Sequence, residues 1–403
     1  MKGIKFFFNY GSRGPSIEKT STDFMSIDTI QKVRNFHKKF SQYQPTPLRS
    51  LDGLANKLHV GKIWVKDESY RFGLNAFKVL GGSYAIGCYL SLKFGIDINE
   101  LSFDDLKSPE YKNKIGELTF VTATDGNHGR GVAWAARELD QKAIVFMPKG
   151  SSKFRVNNIK KKNAEVIVTD EYYDETVKMA ANFANENNGV LIQDTAWEGY
   201  TEIPTWIMQG YATLIDEVFE QLKIEGSSTP THIFLQAGVG SLAAGVQGYL
   251  MTKVGKERPI TVVIEPHNAA CLYKSAKIGD NNPHSVKGKL STIMAGLACG
   301  KPSIIAWDVL RDYSDVFISC SDDIPAKGMR IYGNPLPSDP QIISGESGAV
   351  SLGLLVEILQ NNSYSDLKSK MDLSSESKIL LISTEGDTDP DHYRKVVWAG
   401  KYS

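Results

Sequence analysis

The sequence lacks a surplus of either charge: 46 lysines and arginines stand against 46 aspartates and glutamates in 403 residues, a formal net charge of +0. That balance argues against a polyanion as the working partner, because nucleic-acid binding leans on a basic field and on counterion release. Cysteine is scarce. The four, Cys88, Cys271, Cys299 and Cys320, form no CxxC pair and no Cys/His metal spacing, so they read as reduced thiols of a cytoplasmic chain with no bound metal. Nowhere do about 18 apolar residues run together, which excludes a helix spanning a bilayer. The short apolar run in the opening MKGIKFFFNYGSRGPS is too brief for the core of a signal peptide. Internal repeats and low-complexity tracts are also missing, which excludes solenoids and long flexible linkers.

What is present is a 41% hydrophobic, 23% charged chain of ordinary globular composition. From about Ile63, short β-branched runs alternate with longer amphipathic stretches, the pattern of βαβ units and a parallel sheet. The runs at 63–65, 118–123, 143–147, 165–169, 190–193, 232–236, 261–265, 317–319 and 379–383 predict strands. Helices are predicted at 129–139 and 204–222, the latter with Pro204 in its first turn. The length suggests two or three domains. Four strands in close succession favour a small domain at 91–199, inserted into a large one made of 1–90 and 200–403. The polar segments 104–115 and 278–290 read as surface loops, and the Pro/Gly/Asn/Asp-rich stretch 322–341 as a long loop.

Three glycine-containing turns join predicted strands to predicted helices: NAFKVLGG (75–82), TDGNHG (124–129) and AGVGSLAAG (237–245). Strand carboxyl ends are where α/β sheets hold ligands, and helix N-termini there offer unpaired amides to anions. AGVGSLAAG is the best phosphate cradle, through the amides of Gly238, Val239, Gly240, Ser241 and Leu242. With Glu265 some 20 residues on, it also imitates a dinucleotide fingerprint, although its GxGxxxxG spacing departs from GxGxxG. GLACGKP (296–302) is no P-loop, since Pro302 replaces the Ser or Thr that would hold Mg²⁺. Lys78 sits among apolar residues near a helix start, where burial would destabilise its cation. A lysine of lowered pKa beside a phosphate cradle suggests a Schiff base with a phosphorylated aldehyde cofactor. His128 reads as a hydrogen-bonded loop histidine. Helix capping is the plain role for Asp125 and Asp194, weighed about equally with catalysis for Asp125.

The ordered series QPTPLRSL (44–51), KDES (66–69), NAFKVLGG, TDGNHGR, AGVGSLAAG and ISTEGD (382–387) resembles the fold-type II family of pyridoxal-phosphate enzymes, which includes threonine and serine dehydratases. Within that family, KDESYRFGLNAFK (66–78), TDGNHGRGVAWAA (124–136), QDTAWEGYTEIPTWIMQGY (193–211), IMAGLACG (293–300), ISGESGAV (343–350) and ISTEGDTD (382–389) resemble the diaminopropionate ammonia-lyases. The resemblance implies two open, twisted, mostly parallel sheets flanked by helices, pyridoxal 5'-phosphate as cofactor and a homodimer. It also implies α,β-elimination of D- and L-2,3-diaminopropionate to pyruvate and two ammonia, an amino-acid-degrading reaction.

By position in these motifs, Lys78 would carry the cofactor and Phe77 would back its ring. Asn127 would bond the phenolic oxygen, residues 238–242 the phosphate, and neutral Ser383 or Thr384 would face the pyridine nitrogen. Thr124 and the loop amides from Gly126 to His128 would receive the substrate carboxylate. Asp125 is the informative departure, because the dehydratases carry Ser there. A carboxylate can remove a proton unaided, which implies two bases, Lys78 for one face of the substrate and Asp125 for the other. Asp194 is the candidate holder of the β-ammonium. Tyr173 and Trp197 are candidates for the same pocket, with core packing the leading role for each. The rival readings are a serine or threonine dehydratase, a β-replacement synthase, a nicotinamide-dependent dehydrogenase and a silent ligand-binding regulator.

Overall fold

The computed structural model describes residues 3–14 and 19–403. Eleven strands form two sheets. They are β1 (Ile4–Phe8), β2 (Leu48–Ser50), β3 (Lys62–Asp67), β4 (Thr119–Ala123), β5 (Lys142–Met147), β6 (Glu165–Val168), β7 (Val190–Leu191), β8 (His232–Gln236), β9 (Ile260–Pro266), β10 (Val316–Cys320) and β11 (Lys378–Ser383). The larger sheet has the order β1-β10-β9-β8-β11-β3-β2 and the smaller β6-β5-β4-β7. Every pairing is parallel except those of the edge strands β1 and β2, which run antiparallel to β10 and β3. The chain is thus an α/β protein with mostly parallel sheets flanked by helices. All nine predicted strands form. The two edge strands went unpredicted, because a three-residue strand and a run of aromatics beside the N-terminus carry little alternation.

β8 is buried at all five residues, as expected of a parallel strand covered on both faces. The helix Val79–Phe94 is buried along almost its whole length and ends at Gly95, in the left-handed conformation that closes helices. The predicted helix at 129–139 is observed as Asn127–Glu138. The one expected at 204–222 is two, Glu202–Gly210 and Ala212–Ile224, meeting at Tyr211.

Two expected loops carry helices instead. Within 104–115, Ser102 and Ser108 each cap a short helix, Phe103–Leu106 and Pro109–Ile115, by accepting the N–H three residues on. Within 322–341, residues Asp323–Gly333 form a helix whose Ile324, Ala326, Met329 and Tyr332 are buried. It lies against the helix Glu346–Gln360, and Gly328 and Gly353 permit the approach. A Cβ on Gly353 would stand 2.0 Å from the Ile324 carbonyl oxygen. The glycines that suggest a loop in the sequence are here a helix–helix contact. Residues 280–290 are irregular, as expected.

Candidate active site

The two sheets share a topological device. In the small one the chain runs outward through β4, β5 and β6, then returns on the other side of β4 as β7; in the large one it runs through β8, β9 and β10, then returns beside β8 as β11. Each reversal leaves a crevice at the strand carboxyl ends. Both crevices open on one cavity, the placement expected of a ligand site in such sheets. Residues after β4 (Thr124 to His128) and β7 (Asp194) face those after β8 (Gln236 to Leu242) and β11 (Thr384, Glu385).

Lys78 enters this cavity from the loop after β3. That loop is fastened to the one after β11 by two backbone hydrogen bonds, Phe77 N–H to the Thr384 carbonyl at 3.1 Å and Gly386 N–H to the Asn75 carbonyl at 3.1 Å. Lys78 is the residue before the helix Val79–Phe94, and its ammonium pairs with the Asp194 carboxylate. Burial pushes the Lys78 amine down, as the sequence suggests, but Asp194 more than reverses this, and the group is held above its ordinary value. The expectation of a lowered lysine fails because its counter-ion lies 116 residues away in the chain.

Asp194 is buried. Burial pushes its carboxyl up, but Lys78 and the neighbouring His128 outweigh it, and the net result is a fall to about 2. Tyr173 OH donates to Asp194 Oδ1 at 3.4 Å, and Gln193 Nε2 to the same oxygen at 3.3 Å. His128 Nε2 bonds the Ile192 carbonyl at 2.8 Å, so that nitrogen carries the proton. Its Nδ1 lies 3.9 Å from Asp194 Oδ2. Asp125 behaves oppositely: burial pushes its carboxyl up to about 7, with the Arg155 charge opposing. Neither aspartate caps a helix. The helix Asn127–Glu138 starts at Gly126 without a side-chain cap.

The AGVGSLAAG turn joins β8 to a helix. Residues 238–242 line the cavity at the N-terminus of the helix Ser241–Lys253, where free amides and the helix dipole favour an anion. Gly240 has φ +102°, a conformation that suits glycine. Ser241 Oγ donates to the Asp194 carbonyl at 2.5 Å, tying the cradle to the carboxylate. Phe77, Asn127, Thr124, Gly126, His128 and Tyr173 also line the cavity. Ser383 and Trp197 do not. Ser383 Oγ donates to Ser344 Oγ behind the wall, leaving Thr384 as the hydroxyl that faces inward, and Trp197 stacks on Tyr200 with ring centroids 4.4 Å apart.

Sequence reasoning missed Gln236, Ser347, Glu385 and Arg155, all on the wall. Glu385 stands within the quoted ISTEGD and Ser347 within ISGESGAV, so the motifs held that signal. Arg155 had none. Glu385 accepts from Asn127 Nδ2, and Arg130 Nη2 donates to Asn127 Oδ1 at 3.0 Å, which fixes the way the Asn127 amide points. Gln236 Oε1, Ser347 Oγ and His128 Nδ1 are buried without a partner among the described residues. Vacant polar atoms around a glycine cradle, a lysine and an inward hydroxyl fit a phosphorylated, aldehyde-bearing heterocycle. The dinucleotide alternative does not fit. Glu265 is fully buried and accepts the amides of Leu272 and Tyr273 at 2.8 and 2.6 Å, so it cannot reach a ribose.

The chain belongs to the family of pyridoxal-phosphate dependent enzymes, whose model matches residues 40–384. More particularly, it is 55% identical over 371 residues to the diaminopropionate ammonia-lyase of Salmonella typhimurium, covering 92% of each chain. It superimposes on the Escherichia coli diaminopropionate ammonia lyase in complex with D-serine with a TM-score of 0.92, at 49% identity over 100% of this chain and 98% of that one. The same E. coli enzyme in complex with an aminoacrylate-PLP azomethine reaction intermediate matches with a TM-score of 0.90 at 48% identity, covering 100% and 99%.

Proposed function

We propose that the protein eliminates ammonia from D- and L-2,3-diaminopropionate, giving pyruvate and two molecules of ammonia. It is a pyridoxal-phosphate-dependent carbon–nitrogen lyase, as its relatives at more than 50% identity are. One observation carries the reading: a single cavity holds a buried lysine, Lys78, and a carboxyl raised to about 7, Asp125, beside a carboxylate, Asp194, that stays ionised.

Lys78 supplies the amine that carries the cofactor, residues 238–242 hold its phosphate, Phe77 backs its ring, Asn127 meets its phenolic oxygen and Thr384 its pyridine nitrogen. Bound pyridoxal phosphate supplies an electron sink that acidifies the α-proton of an amino acid and lets a β-substituent leave. Lys78 Nζ takes that proton from one face and Asp125 from the other, so both enantiomers react. A carboxyl near pH 7 suits this task, since an effective base has a pKa close to the working pH. Thr124 and the amides from Gly126 to His128 bind the substrate carboxylate. Asp194 holds the β-ammonium: once the Lys78 amine is engaged with the cofactor, the carboxylate exchanges one ammonium for another. Tyr173 and Gln193 keep Asp194 aimed. The amino group left after the first ammonia departs is lost to water.

The same reading makes residues 91–199 a small domain inserted in a large one of 1–90 and 200–403, and the molecule a cytoplasmic homodimer. In its support, β4 to β7 form a sheet of their own, and among the described residues no helix is long and apolar enough to cross a membrane. The test is release of ammonia and pyruvate from each diaminopropionate enantiomer beside D- and L-serine. Both diaminopropionates should turn over faster than either serine; the reverse order would make the protein a serine dehydratase.

A further inference from the structure

An amino acid brings a carboxylate into this cavity, and among the described residues its wall has two Lys or Arg side chains. Lys78 is spent on Asp194. The other is Arg155, on the helix Lys153–Lys160. Its nearest carboxylate oxygen, of Glu346, is 3.9 Å away. The Arg155 side chain is 13% exposed, yet its guanidinium makes no hydrogen bond among the described residues. None of its nitrogens is both buried and without a partner, so its donors meet water and are open to an anionic ligand that enters the cavity.

The position matches that ligand. The Arg155 side chain crosses the TDGNHG turn, its Cδ 3.2 Å from where a Cβ on Gly126 would lie. Arg155 and Asp125 both line a second hollow, of about 930 Å³, outside the catalytic cavity. Arg155 therefore stands in the wall that the two hollows share. In the second hollow Glu346 is held from its other flank by His392.

We propose that Arg155 is the charged half of the substrate α-carboxylate site, completing the neutral amides of residues 124–128 with a bidentate guanidinium. This rests on the proposed function for the kind of substrate, an α-amino acid, though not on which one. A guanidinium fork matches a carboxylate in shape as well as charge, so Arg155 sets the specificity for amino acids over simple amines. A second consequence concerns the base. Arg155 is the leading charge that opposes the upward push of burial on Asp125. When the substrate carboxylate neutralises Arg155, that opposition weakens and Asp125 becomes a stronger base once substrate is seated.

The test uses the cofactor-loaded protein and two probes read by the change in cofactor absorption: D-serine, which carries a carboxylate, and 1,2-diaminoethane, which does not. Arg155→Met should weaken D-serine roughly tenfold to hundredfold, the loss expected for a hydrogen-bonded ion pair, and leave 1,2-diaminoethane within about twofold. Arg155→Lys should recover part of the loss, and KM for diaminopropionate should rise more than kcat falls. Glu346→Gln should bind D-serine as well as the parent. In the cofactor-free protein, carbon-13 NMR of the Asp125 carboxyl should show its pKa higher in Arg155→Met. Equal weakening of both probes, unchanged D-serine binding, or the same loss in Glu346→Gln would overturn the assignment and leave Arg155 a brace for Glu346. If the parent releases no ammonia from diaminopropionate, the proposed function falls, and the probe comparison still decides the role of Arg155.

Discussion

Three aspartate and lysine side chains share one cavity with opposite protonation habits, and this contrast yields separate predictions. Asp125 carries a pKa of about 7 and acts as a base only when ionised, so turnover of its enantiomer should fall as pH drops below about 7, while the Lys78-dependent enantiomer lacks that limb. Asp125→Asn should abolish one enantiomer, which we assign as D, by at least about a hundredfold and spare the other; equal loss on both would make Asp125 a binding group. Asp194 has the other sign. Its folded pKa of about 2 lies below the ordinary carboxylate value, so its pairing stabilises the fold above about pH 4 and is lost as pH falls through 2, a contribution of roughly 2–3 kcal/mol. In the cofactor-free protein, Asp194→Asn should lower urea-unfolding stability by about that amount at pH 7, leaving Lys78 unpaired, and the gap to the parent should narrow toward pH 2. At this scale the sequence singles out residues that lie together in one cavity, but not their protonation states. Lys78, Asp125 and Asp194 were legible in their motifs, but the raised lysine and the split between the carboxyls come from neighbours distant in the chain.

At the scale of elements, the strands were legible because a parallel strand buried on both faces is a short apolar run bounded by turns, as in HIFLQ at β8. Legibility failed where glycine served packing and not turning. Residues 322–341 read as a loop because Gly and Pro usually break helices, whereas Gly328 and Gly353 let the helices Asp323–Gly333 and Glu346–Gln360 touch backbone to backbone. The contact also supports the site, since Glu346 and Ser347 open the second of these helices and Ser347 lines the cavity. Gly353→Ala puts a methyl 2.0 Å from the Ile324 carbonyl oxygen, with backbone on both sides and nothing flexible to yield. It should cost about 2–3 kcal/mol in urea unfolding, the upper part of the usual range for overpacking. It should also weaken retention of the cofactor; a Gly353→Ala protein of parental stability would show that the helices can separate without cost.

For the whole molecule, the cavity belongs to neither sheet. The small sheet contributes Thr124 to His128 and Asp194, and the large one residues 238–242 and Thr384. Direct ties across the gap include Ser241 Oγ to the Asp194 carbonyl, Asn127 Nδ2 to Glu385, and, last, the Lys78–Asp194 pair. Engaging Lys78 with the cofactor would remove the last of these, while a cofactor held by Lys78, Asn127 and residues 238–242 would span both walls. A ligand that binds only the folded chain stabilises it by mass action, about 3–4 kcal/mol at a hundredfold to a thousandfold excess over Kd. The cofactor should therefore raise the midpoint of thermal unfolding by several degrees, as scanning calorimetry would measure it. Because the ligand bridges the two walls, it should also merge into one transition any separate melting of the sheets seen in the cofactor-free protein. Lys78→Ala should keep part of that shift through the cradle at 238–242. A cofactor that left unfolding unchanged in the parent protein would show that the two crevices do not close on a common ligand.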